Sequence, residues 1–219
     1  MPDSAHLLVF ILSGWLLNLT PGPDVLYILN HAMRTGLRAG VVAAFGIVAG
    51  CFVHVVAAAL GVSALLATSA TAFVVLKWVG AAYLVWMGVR MLLARQGDMH
   101  PAIVAGRAVG QNVAPLLRQV FLRGFLTNVL NPKVALFFLA FVPQFIAPQS
   151  TDKAWTFLML GLLFNLNSLP INLGYAWFGS LAVRRVQSVQ RGMRWLDRVA
   201  GLMFVGFGVK LALSAPPTP

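Results

Sequence analysis

Two groups of polar residues interrupt apolar stretches of this sequence, and each group places one ionisable side chain directly after a proline. The groups are Asn18, Thr20, Pro21, Gly22, Pro23 and Asp24, and later Asn128, Asn131, Pro132 and Lys133. A carboxylate or an ammonium within an apolar run is costly in lipid unless it finds a partner or water, and such residues usually serve binding or ion coupling. The sequence therefore predicts one polar site that uses both charges.

The backbone around these charges is predicted to be broken. The residues flanking the first group, from Leu7 to Leu29, form an apolar run long enough to cross a bilayer. Pro21 and Pro23 lack the N–H that a continuous helix needs, and Gly22 permits unusual backbone angles. A helix break and a charge at one depth are typical of a transporter site between two half-helices.

Each charged residue has a functional and a structural interpretation. Burial penalises an ionised carboxylate, so Asp24 is a candidate for proton coupling, or else it caps the second half-helix. Lys133 is a candidate for binding a substrate carboxylate or for pairing with Asp24, or else it extends to the membrane interface. The neighbouring Asn and Thr side chains either satisfy backbone groups freed by the breaks or line a cavity.

The two groups also align with each other. When Pro23 is set on Pro132, Asp24 falls on Lys133, and a second alignment places Gly88 on Gly208. The alternative is a chance likeness between glycine-rich apolar helices. We favour the repeat on these matched residues, and since each half would hold three spans, the two halves must point in opposite directions. Such repeats are a recurring plan of secondary transporters.

The composition is that of a membrane protein. Of 219 residues, 59% are hydrophobic and 10% are charged, whereas a soluble domain has about 25% charged residues. The net charge of +11 does not indicate nucleic-acid binding, because the arginines lie in short clusters between apolar runs and not on a soluble fold. We expect no nucleic acid as partner and the lipid bilayer as surroundings.

About six transmembrane spans are predicted in this all-α integral membrane protein. They cover approximately 7–29, 41–66, 74–93, 121–141, 155–181 and 199–213. The predicted units are a first three-helix repeat at 1–95, a cytoplasmic linker at 96–117 and a second repeat at 118–219. Every arginine falls on one side of this arrangement, and basic loops face the cytoplasm. Both termini are therefore predicted to lie outside.

The chain resembles the LysE/RhtB-type amino-acid exporters. The likeness rests on the first group through Asp24, on the motif 126–138, and on the segments 141–145 and 83–90. It implies a bacterial inner-membrane protein that exports amino acids or their derivatives, with protons as the coupling ion. Many members of that family have another residue where this chain has Asp24. An alternative is a cation or metal-ion exporter, since distant relatives of the family include such proteins.

Further polar residues within the spans are secondary candidates for the site: His54, Asn165, Asn167 and Asn172. His54 either relays protons or packs through a hydrogen bond. No phosphate-binding loop, metal-ligand cluster or catalytic constellation is present, so we expect no enzyme activity, no cofactor and no bound metal. A third class, a structural membrane protein, does not account for two broken, charged spans. The sequence leaves open whether the protein forms a homodimer.

Overall fold

The protein is built from helices throughout the part of the chain that the structure describes. The computed structural model describes residues 4–68, 70–93, 116–146, 152–181 and 186–213. The helices, labelled in chain order, are α1 (Ser4–Leu19), α2 (Pro23–Thr35), α3 (Leu37–Thr68), α4 (Ala70–Leu93), α5 (Leu117–Val129), α6 (Pro132–Leu136), α7 (Lys153–Leu181) and α8 (Val186–Leu213). This is the all-α class that the apolar composition predicts.

Several of these helices are suited to a bilayer. Leu37–Gly61 and Lys153–Leu181 are each long and apolar enough to cross it alone. The pair Leu117–Val129 and Pro132–Phe145, bent by 46°, counts as a third if it forms one span, and shorter apolar stretches cover Leu7–Leu19 and Gly201–Lys210. The chain is thus a multi-helix membrane protein, and the total of six spans stays a prediction.

Both predicted helix breaks are present. α1 ends at Leu19 and α2 begins at Pro23, with Gly22 in extended conformation between them. α5 ends at Val129, and α6 begins at Pro132 after a turn. Each new helix starts on a proline, whose missing N–H has no partner to lose at the first helical position.

The second broken span also ends irregularly. α6 is a single short helix that continues into a π-helical turn at Phe137–Phe141 and a 3-10 turn at Val142–Phe145. Aromatic rings hold this segment in place: Phe137 stacks on Phe141 at 5.1 Å and lies 5.0 Å from Phe164 of α7. The segment that carries Lys133 is therefore fixed by packing as well as by its backbone.

The helix that carries the sixth span begins earlier than the predicted span. The sequence placed the span near residue 199, and an apolar stretch of α8 covers Gly201–Lys210. The helix itself begins at Val186, where the sequence predicted a basic loop. Residues 186–198 contain no proline and several good helix formers such as Gln, Arg and Met, so helix propensity outweighs their polarity. The linker predicted at 96–117, except for its last two residues, lies outside the described ranges, as do Arg95, Arg107, Arg184 and Arg185.

Glycines let the helices approach closely. α3 packs against α5 and α7, and α4 packs against α8. A Cβ on Gly50 of α3 would lie 2.5 Å from the carbonyl oxygen of Phe125 in α5. Gly46 likewise contacts Phe121 of α5. Gly46 and Gly50 therefore serve the packing of α3 against α5 within one chain.

The contact between α4 and α8 is reciprocal. A Cβ on Gly88 would meet Gly201 and Val205, and a Cβ on Gly208 would meet Ala81 and Val85. The separation along the chain between Gly88 and Gly208 is the same as that between Ala81 and Gly201 and that between Val85 and Val205. Reciprocity of this kind is what a two-fold relation between the helices produces.

We predict that Gly208→Ala destabilises the protein, because its Cβ would lie 2.8 Å from the carbonyl oxygen of Ala81 and 2.7 Å from Cγ2 of Val85. Overpacking of this kind costs about 1–3 kcal/mol. Gly206→Ala is the matched control on the same helix, since nothing lies within 4 Å of its added Cβ. Thermal unfolding in detergent should show a lower midpoint for Gly208→Ala alone. Equal midpoints for both variants would contradict the close contact of α4 with α8.

Candidate functional site

The carboxylate of the first break is held by amides of the second. Asp24 lies in the first turn of α2 and is 8% exposed. Its Oδ2 accepts hydrogen bonds from Nδ2 of Asn128 and from Nδ2 of Asn131, each at 2.9 Å. The residue before α2, Gly22, caps the helix without any side-chain hydrogen bond. The capping interpretation of Asp24 is therefore replaced by a contact between the two halves of the chain.

Asn131 has two functions in this contact. Its Oδ1 accepts a hydrogen bond from the backbone N–H of Lys133 at 3.0 Å and so caps α6. Its Nδ2 is then directed to Asp24. Because the two ends of the amide have different partners, the orientation of the side chain is determined by its hydrogen bonds. A single residue thus starts α6 and stabilises the buried charge.

Lys133 of the second half also contacts the first half of the chain. It is also 8% exposed, and its Nζ donates to the carbonyl oxygens of Leu17 and Thr20, each at 3.0 Å. These carbonyls lie at the end of α1, where the helix dipole is negative. The ammonium does not extend to an interface. It satisfies backbone groups that the first break frees.

Lys133 approaches a glycine closely. A Cβ on Gly22 would lie 3.2 Å from Nζ of Lys133, tighter than ordinary van der Waals contact. Gly22 is partly exposed and extended, so space is the stronger requirement at this position than backbone freedom. A side chain at this position would crowd the ammonium of Lys133, which would have to shift by a few tenths of an ångström.

The other polar residues of the breaks bond to the backbone. Asn18 donates to the carbonyl of Gly14 at 2.8 Å, and Thr20 donates through Oγ1 to Leu16 at 2.6 Å. His54 of α3 lies with Nε2 2.9 Å from the carbonyl oxygen of Asn128 at the second break. These contacts agree with the structural interpretation of the amides and hydroxyls, and they bring His54 to the site.

Two tyrosines that the sequence did not single out also bond the broken spans. Tyr175 of α7 donates to the carbonyl of Leu19 at 2.8 Å, and Tyr27 of α2 donates to that of Val120 in α5 at 2.8 Å. The sequence could not predict these hydrogen bonds, because the acceptors are main-chain carbonyls, and a phenol within a helix was the single sign of them.

A cavity lies where the two breaks meet. Its lining consists of Leu17, Asn18, Asp24, Val25, Ile47, Val48, Cys51, Asn128, Lys133, Val134, Phe164, Ser168 and Asn172. The cavity volume is about 10 Å³, enough for about one water molecule. The cavity is therefore small in this structure.

The polar residues in the middle of α7 lie in two different environments. Asn172 and Ser168 line the cavity, and Asn165 is buried close to them in the chain. Asn167 instead accepts a long hydrogen bond, 3.4 Å, from the exposed Trp15. Among the described residues, no group of three or more His, Cys, Asp or Glu side chains is placed to hold a metal ion.

Comparisons with known proteins agree with this architecture. The family model of the LysE type translocators matches residues 15–215. A membrane protein of Vibrio cholerae that is described as uncharacterized is 32% identical over 206 residues, covering 94% of this chain and 95% of its own. The homoserine/homoserine lactone efflux protein of Salmonella typhimurium is 29% identical over 204 residues, covering 93% of this chain and 94% of its own. The leucine efflux protein of Enterobacter sp. is 29% identical over 206 residues and covers 93% of each chain. No solved structure matches the chain.

We predict that Asn131→Ala destabilises the protein more than Asn18→Ala. The first change removes both the cap of α6 and a donor to Asp24. Losing a cap costs about 1 kcal/mol, and losing a hydrogen bond to a charged group costs about 1.5–3 kcal/mol. The second change removes one hydrogen bond within α1. Thermal midpoints in detergent would decide this, and a larger drop for Asn18→Ala would contradict the assigned contacts.

Proposed function

The chain belongs to the family of LysE type translocators, and we propose that it is a secondary active exporter of amino acids or their derivatives across the bacterial inner membrane. The observation that carries the proposal is the buried contact of Asp24 with Asn128 and Asn131 beside a cavity between two helix breaks. Two of its relatives are named for efflux of homoserine, its lactone or leucine.

The cavity lining favours a substrate without a charged side chain. Asp24 and Lys133 are the charged residues among those that line it, and Ile47, Val48 and Phe164 contribute apolar surface. A second charge on the substrate would lose its water without a partner of opposite sign. Leucine and homoserine, named for the relatives, both satisfy this condition.

We assign proton coupling to Asp24. Its Oδ2 already accepts two hydrogen bonds, whereas its Oδ1 has no hydrogen-bond partner among the described residues. A proton would therefore be taken up on Oδ1, where no bond has to be broken. His54, bonded to the backbone of Asn128, is the candidate for passing the proton on.

We assign Lys133 a structural role in addition to the substrate-binding role that the sequence predicts for it. Its bonds to Leu17 and Thr20 show that it ties α6 to the end of α1. We propose that a substrate carboxylate competes with one of these carbonyls when the cavity widens. Asn18, Asn172 and Ser168 complete the polar part of the lining.

The reciprocal contact of α4 with α8 supports the inverted repeat. α3 with α5, and α7 with the pair α1 and α2, are the corresponding contacts at the two breaks. We propose six spans with both termini outside the cytoplasm, as the arginine distribution favours. An alkaline phosphatase fusion at the C-terminus, active only outside the cytoplasm, tests this orientation.

We predict that Asp24→Asn abolishes export driven by a pH gradient, because the neutral amide cannot exchange a proton. Uptake of amino acids, screened singly, would be measured in inverted membrane vesicles with and without the gradient. Lys133→Met should also lower transport, together with the yield of folded protein. Divalent metal salts in the same screen test the cation-exporter alternative.

Asp152→Asn is the matched control for the aspartate change. Asp152 accepts a hydrogen bond from the backbone N–H of Trp155 at 2.8 Å at the exposed start of α7, away from the cavity. It should transport at the rate of the unchanged protein. Near-normal gradient-driven transport by both Asp24→Asn and Lys133→Met would end the proposal.

A further inference from the structure

Two buried acceptors at the cavity have no hydrogen-bond partner among the described residues. They are Oδ1 of Asp24 and Oδ1 of Asn128, on residues that are 8% and 3% exposed. Both residues line the same cavity. A buried polar atom without a partner costs free energy in a folded protein, so two such acceptors beside one space favour a ligand that donates hydrogen bonds.

The chemistry of these atoms specifies a donor. Nδ2 of Asn128 is bonded to the carboxylate of Asp24, so its Oδ1 points away from that bond and remains an acceptor. The second oxygen of the carboxylate is an acceptor too. A ligand carboxylate would bring two more acceptors and a like charge, which this pair repels. An ammonium brings three donors and the opposite charge.

The size of the space agrees with one such group. Its volume of about 10 Å³ corresponds to about one water molecule, and a primary ammonium is of similar size. The remainder of a ligand exceeds that volume and would occupy space that opens along the apolar part of the lining, such as Val48 and Phe164.

On the basis of the proposed exporter function, we infer that Oδ1 of Asp24 and Oδ1 of Asn128 form the subsite for the ammonium group of the substrate. A proton on Oδ1 of Asp24 removes the negative charge and occupies the same lone pair. The proton and the ammonium therefore exclude each other, one positive charge replacing another. The other titratable or charged groups lining the cavity or in contact with the subsite are Lys133 from α6 and His54 and Cys51 from α3, while α7 contributes the neutral Ser168 and Asn172.

Mutual exclusion accounts for exchange in physical terms. A site that carries either a proton or a substrate, and never both, moves them in opposite directions when it alternates between the two sides of the membrane. No separate gate for each ligand is required, because a single carboxylate oxygen binds either the proton or the ammonium.

Ligand analogues test the subsite directly. Purified protein in detergent is first screened with the common amino acids and homoserine for the one that raises the thermal midpoint most. Its amide, which keeps the ammonium and lacks the carboxylate, should bind within about tenfold of the parent. Its 2-hydroxy acid and its N-acetyl derivative lack the ammonium and should bind at least about tenfold more weakly.

Proton release provides the second measurement. The amino acid is added to the protein in weakly buffered solution, and the measurement is repeated at stepwise lower pH. Once Asp24 carries its proton, binding of the amino acid should release protons. Asp24→Asn should release none at any pH, and Asp152→Asn should behave as the unchanged protein. The thermal midpoint is also compared in sodium chloride and in choline chloride. A higher midpoint in sodium chloride that is lost in Asp24→Asn would contradict the proton as the competing ion.

The outcomes separate the inference from the function on which it rests. If the 2-hydroxy acid or the N-acetyl derivative binds as well as the parent, the ammonium subsite is wrong while an amino-acid exporter stands. If no amino acid stabilises the protein and none is transported in vesicles, the proposed function and the inference fail together.

Discussion

The main constraint on this protein is that a helix interrupted within a membrane leaves polar groups that lipid cannot satisfy. Each of its two breaks supplies what the other lacks. Lys133, after the second break, donates to the carbonyls of Leu17 and Thr20 at the first. Asn128 and Asn131, at the second break, donate to Asp24 after the first. Neither break is satisfied by its own span alone, and their mutual contact places two charges beside one cavity.

The two oxygens of Asp24 have separate tasks in the proposed exchange. Oδ2 accepts both amides and belongs to the folded structure, whereas Oδ1 has no partner among the described residues and is available for a ligand or a proton. An exchange at Oδ1 therefore leaves the contact between the breaks intact. Asn128 is divided in the same way, because its Nδ2 holds the carboxylate and its Oδ1 faces no donor in the described ranges. The site can therefore exchange a proton for a ligand while the hydrogen bonds that join the two breaks remain in place.

The breaks and the central residues could be predicted from the sequence, because prolines interrupt helices and charges are costly within apolar runs. The bonds of Lys133 to main-chain carbonyls could not, since every residue carries such an acceptor and the sequence does not show which are free. The same reason hid Tyr27 and Tyr175. Cys51 and Phe164 line the cavity but look like any apolar core residue, and only the packing of α3 against α7 places them there. The early start of α8 was missed because its first turns are polar.

Cys51 offers the most direct measurement of whether the contacts at the breaks enclose a substrate cavity. It is the single cysteine of the chain, it is buried, and it lines the cavity beside Asp24. The rate at which a small maleimide alkylates Cys51 would be followed in membranes with and without a transported amino acid. We predict alkylation that is slower than in denaturant and is slowed further by saturating substrate. Alkylation as fast as in the unfolded chain, or unaffected by every transported amino acid, would contradict a substrate cavity between the breaks.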